Sequence, residues 1–240
     1  MSKALLALLF LAFNFSANAY WQQRVSYSIE VKLIDSTHTL KAYEKVTYVN
    51  HSPDTLREMY FHLWPNAYQA GTPLDQQLQE DGNTKLYFGN DKYIGRLDST
   101  QFKVNGISVP LKKHYLGKEV AWFNLPKPLL PGDSIIISTP FQVKVPFGEV
   151  SRLGHLNSSY QITQWYPKPA VYDKNGWNVM PYLSIGEFYS EYGEFNVSIT
   201  LPKKYKLAAS GNLISSTTSK NMRTESYSIR DVHDFVWFAD

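Results

Sequence analysis

Most of the usual chemical arrangements are missing from this chain. Its six His residues, His38, His51, His62, His114, His155 and His233, lie far apart in sequence. No two are close enough for a local metal pair, and no His-Glu-x-x-His helix occurs. There is no Cys, which removes thiolate metal sites, a cysteine nucleophile and disulfides. No Gly-x-Ser-x-Gly elbow and no glycine-rich phosphate loop is present. Glu187 and Glu191 stand close in sequence, but glycoside hydrolysis needs two carboxyl groups at a set separation. A chain with 21 acids holds such pairs by chance. His62, between Phe61 and Leu63, reads as a half-buried, hydrogen-bonded residue rather than a ligand.

One stretch concentrates binding chemistry instead. "TQWYPKPAVYDKNGW", residues 163–177, carries two Trp, two Tyr, two Pro, two Lys and an Asp-Lys-Asn-Gly turn. It is too irregular for a helix and too rich in Pro for a central strand, so it reads as a loop. A loop bearing Gln164, Trp165 and Tyr166 offers an amide and ring faces at one place. Buried packing is the commoner use of such rings.

The elements that hold this loop are strands. In "VSYSIEVKLI", residues 25–34, Val25, Tyr27, Ile29, Val31 and Leu33 alternate with polar residues. A short "DSTH" connection leads to a second strand over residues 39–50, and a third covers residues 57–65 up to Pro65. Residues 66–98 lose the alternation. Within them Thr72 and Pro73 predict the N-cap and first turn of one short helix over residues 73–80. Asn105-Gly106 predicts a tight hairpin, and Pro140 marks a bulge or edge point in a long strand. About a dozen short strands and one or two helices define an all-β domain of packed sheets.

Residues 4–13, "ALLALLFLAF", follow Lys3 and precede "SANA". That pattern is a signal peptide, with cleavage expected after Ala19. The run is too short to span a bilayer, and no later segment is long and apolar enough. Residues 1–19 are thus expected to be a leader, residues 20–240 the working domain, and the protein exported, periplasmic or extracellular. The formal charge is +3, with Lys and Arg scattered, so no footprint for nucleic acid exists.

"SPDTLREMYFHLWPNAY", residues 52–68, resembles the early strand region of the M1 (aminopeptidase N-like) zinc metallopeptidases, in their exported bacterial branch. "TQWYPKPAVYDKNGW", the run "GEFYSEYGEFNVSITLPKKYKLAASGNL" and "VHDFVWFAD" resemble the second half of the same N-terminal domain. Together they cover residues 25–240 in the family's order.

The resemblance implies an all-β, multi-sheet, saddle-like N-terminal domain that packs on a downstream catalytic domain. The zinc ligands would lie in that downstream domain. None of its motifs is in this chain, so these residues alone are expected to hold no zinc and hydrolyse nothing. The full-length protein would be a peptidase acting on peptide substrates. The resemblance also implies that Gln164 helps form one wall of the pocket for the substrate's N-terminal residue. At the next family position the usual acid or amide is replaced by Tyr166, a phenol that cannot pair with an ammonium as a carboxylate does. Trp165 and Tyr166 would then contribute ring faces, worth on the order of 0.5–2 kcal/mol to a cation. The alternative is a free-standing exported β-sandwich that binds peptide, glycan or protein through aromatic loops.

Overall fold

The computed structural model describes residues 20–148, 150–186 and 188–240. The expected leader, residues 1–19, lies outside the described residues, as does Glu187 of the acid pair. Strands dominate, in four sheets. The largest has nine strands, in the spatial order Asn212–Ser219, Met222–Val232, Gly193–Pro202, Arg24–Ile34, Thr39–Val49, Ser134–Lys144, Lys103–Val104 and Ile107–Ser108, with Arg96–Asp98 also on Ser134–Lys144.

Alternation explains how this sheet packs. Val25, Tyr27, Ile29, Val31 and Leu33 are all buried, at 1–4% exposure, while Ser28, Glu30 and Lys32 face water. Leu40, Val46 and Tyr48 continue the inner face on the next strand. The centre holds a parallel pair, Arg24–Ile34 beside Gly193–Pro202. There Tyr27 and Phe195 are register partners, with rings stacked at 4.4 Å and 3°.

Two four-stranded sheets cover that face. One has the order Gly154–Leu156, Ser159–Ile162, Trp237–Ala239, Leu207–Ala209. The other has the order Lys168–Pro169, Leu56–His62, Gly117–Leu129, Lys112–His114. A two-stranded ribbon, Val171–Asp173 with Gly176–Asn178, completes the set.

Local signals in the sequence act as expected. Thr72 caps the helix Pro73–Glu80 by accepting from the Asp75 N–H at 3.2 Å, with Pro73 in the first turn. Asn105 and Gly106 both take positive φ, 48° and 83°, between their two short strands, as a primed hairpin turn requires. Pro140 makes no bulge. Its register with Tyr43 is unbroken. On its other side the short partner strands stop at Ser138 and Gln142, so the missing N–H sits beside a gap in the ladder.

The loop over residues 163–177 is partly strand. Lys168–Pro169 pairs with Phe61 and His62 at the outer edge of its sheet, a position that tolerates Pro. The Asp-Lys-Asn-Gly turn closes the ribbon, with Gly176 at φ 95°.

Candidate functional site

Residues 164–168 connect one covering sheet to the other with bends at Gln164 and Tyr166, and their side chains alternate. Gln164, Tyr166 and Lys168 all reach one carboxylate, that of Asp234. Gln164 Nε2 donates to Asp234 Oδ2 at 2.6 Å. Tyr166 Oη donates to Oδ1 at 2.7 Å. Lys168 Nζ donates to the same Oδ1 at 3.1 Å and to the His233 carbonyl at 3.0 Å. The Phe235 N–H adds a fourth bond to the carboxylate, the third on Oδ1, at 2.9 Å. Trp165 points the other way and donates Nε1–H to the Phe235 carbonyl at 3.0 Å. Two strands of chain, 164–168 and 233–235, are thereby tied into one polar knot.

Lys168 is an ammonium inside protein. Its side chain is 3% exposed, and Asp234 is 17% exposed. Burial lowers the Lys168 pKa, and the Asp234 carboxylate opposes that shift. The ammonium also lies 5.2 Å from the Tyr166 ring and 5.4 Å from Trp64. Such a pair is held by its hydrogen bonds, and losing one partner leaves a buried charge uncompensated.

Gln164 takes a left-handed backbone, φ 52°, which is uncommon for a residue other than Gly and marks a constrained site. It is 8% exposed. Its amide N–H is fixed on Asp234, so the opposite atom, Oε1, is assigned as an acceptor, and it has no hydrogen-bond partner. A buried acceptor left unpaired is rare.

Trp165 and Tyr166 sit in the core, 0% and 1% exposed. The Tyr166 ring stands edge-on to Tyr27 at 5.5 Å and to Phe195 at 5.8 Å, capping their stack. Trp165 packs against Phe141 and Trp237. Their faces go to packing, and the Tyr166 hydroxyl goes to Asp234. Trp177, half-buried, packs on Tyr172 at 5.1 Å and Tyr60 at 5.7 Å. His62 is fully buried, not half-buried as the sequence suggested. Its Nε2 accepts from the Met180 N–H at 3.2 Å, and its ring stacks on Trp64 at 4.5 Å. Burial lowers its pKa to about 3, helped by the Lys168 charge.

Asp234 and Lys168 were not singled out by the sequence. A Lys between two Pro in a ring-rich run hints at a buried cation, but nothing local names its partner. Other acids are buried as well. Glu44 is fully buried with both oxygens unpartnered, and burial raises its pKa well above the usual range. Glu119 accepts from the Tyr182 N–H at 2.6 Å, and burial raises it to about 7.

Among the described residues, no three His, Asp or Glu side chains come together in a group that could hold a metal ion. Zinc therefore does not fit these residues, and no step here runs through a metal. No described helix is long and apolar enough to cross a membrane.

The fold is that of the strand-rich part of M1 zinc metallopeptidases. A two-domain M1 zinc metallopeptidase mutant bound to L-tryptophan superposes with a TM-score of 0.55 at 13% identity, over 90% of this chain and 42% of that one. An M1 zinc metallopeptidase from Deinococcus radiodurans gives 0.52 at 12% identity, over 91% and 42%. A mutant of that enzyme bound to a Tyr-Ser-Ala substrate gives 0.53 at 12%, over 90% and 42%. The chain thus spans about 42% of the solved structures it matches, which suits one domain of two. No family model and no curated protein matches the sequence.

Proposed function

We propose that residues 20–240 are the non-catalytic N-terminal domain of an exported M1-type zinc metallopeptidase, with residues 1–19 as its cleaved leader. In that protein a downstream domain holds the zinc and performs peptide hydrolysis. This domain supplies one wall of the pocket for the substrate's N-terminal residue.

The observation that carries this reading is the Gln164 amide. Its N–H side is locked on Asp234 and its oxygen is left as an unpaired acceptor, on a backbone held off the common conformations. That oxygen is the one buried polar side-chain atom of the knot left without a protein partner. Trp165, Tyr166 and Lys168 act on the substrate only by holding Gln164 in position.

The test is the coding sequence beyond Asp240 together with an assay. The reading expects the frame to continue into a His-Glu-x-x-His helix. It also expects purified residues 20–240 to bind no stoichiometric zinc and to cleave no aminoacyl anilide. A stop codon directly after Asp240, or zinc-dependent cleavage by these residues alone, would overturn it.

A further inference from the structure

A small, mostly enclosed cavity of about 70 Å³ lies between residues 20–22, the ribbon strand Val171–Asp173 and residues 189–192. Among the described residues its wall carries two carboxylates and no Lys or Arg. Glu191 is 8% exposed. It is held by the Gln23 backbone and the Gln22 side chain, and burial raises it to about 7. Asp173 faces the same space, fixed by bonds from the Asn175 N–H at 2.8 Å and the Tyr189 hydroxyl at 3.3 Å.

A second, independent feature is Ser190. It is 4% exposed, and its Oγ has no hydrogen-bond partner. Its carbonyl is already used by His233 Nδ1 at 2.8 Å. Most of the rest of the wall is aromatic, with Tyr20, Trp21, Tyr172, Tyr189 and Tyr192 beside the His233 imidazole, and Gln22 and Val171 complete it. Tyr192 is fixed against the His233 ring at 3.9 Å.

We infer that this cavity is a binding site for a primary ammonium group, seated on Glu191, Asp173 and Ser190 Oγ between aromatic rings. Carboxylates and a free hydroxyl oxygen accept the three N–H bonds an ammonium offers. Ring faces add cation–π attraction, which favours an organic cation over water. At about 30 Å³ per water, the volume admits an ammonium head with one or two methylenes. It does not admit a whole residue. Tyr20 lines the same cavity and would carry the chain's own α-ammonium once residues 1–19 were cleaved, so the site is tested on the uncleaved chain.

Two sources share this chemistry, a lysine side chain and a peptide N-terminus. The purified chain is titrated calorimetrically with Nα-acetyl-lysine methylamide, with alanyl-alanine amide, and with n-butanol as the neutral control. Saturable binding of one ammonium probe and none of butanol is expected, and the probe that binds names the source. Glu191→Gln should weaken it about tenfold, the scale of one lost charge-assisted hydrogen bond. Asp173→Asn, at a more exposed carboxylate, gives the same test with little risk to folding. No saturation by either ammonium probe, equal binding of butanol, or unchanged affinity in both variants would overturn the inference.

Discussion

Strand Arg24–Ile34 and residues 164–168 both alternate their side chains, yet they use the alternation differently. In the strand, one face is apolar and buried and the other polar and wet. Each polar side chain there solves its own problem by meeting water. In the 164–168 segment both faces are buried. Trp165 takes the apolar side, and Gln164, Tyr166 and Lys168 take a side with almost no water. Their polar atoms must then find protein partners, and all three find Asp234. The contrast shows a sheet whose stability is spread over many small contacts and a knot whose stability is gathered on one carboxylate.

The largest expected effect comes from removing that carboxylate. Asp234→Ala should cost about 3–5 kcal/mol in urea unfolding, because it strands the buried Lys168 ammonium. Replacing Lys168→Met and Asp234→Asn together should recover much of the loss. By contrast, Lys32→Ala on the wet face of the strand should stay within about 0.5 kcal/mol. If Asp234→Ala and Lys32→Ala behave alike, the distinction between the two regions collapses.

A smaller effect is the pH dependence of the covering sheets. Burial raises Glu119 from 4.5 to about 7. The folded state therefore holds that proton more tightly than the unfolded chain. Its contribution is complete below about pH 4.5 and is lost as pH rises through about 7. His62 works in the opposite sense. Lowered from 6.5 to about 3, it contributes above pH 6.5 and loses that contribution as pH falls toward 3. Thermal melts should show Glu119→Gln flattening the decline between pH 5 and 8. An unchanged slope in that variant would place the dependence elsewhere, Glu191 being the next buried acid raised to about 7.

The same contrast explains what could be read from the sequence. Residues 25–34, Asn105-Gly106 and Thr72-Pro73 announce their structure because the cause is local: period two, a primed turn, a capped first turn. The parallel pairing of Arg24–Ile34 with Gly193–Pro202 has no local cause. Nor do the two-residue strands, such as Lys168–Pro169, that exist only through their partners. Gln164 was singled out through resemblance. Asp234, which fixes it, was not, since a carboxylate about seventy positions away in sequence is named only by the fold.

The central proposal is that this knot holds Gln164 at the wall of the pocket for a substrate's N-terminus. In the full-length protein, Gln164→Ala should leave a folded enzyme, at a cost of about 1–2 kcal/mol for the lost bond to Asp234. It should lower kcat/KM for peptides with a free N-terminus about tenfold or more. An unchanged kcat/KM in the folded variant would contradict the account and leave Gln164 as a structural tie alone.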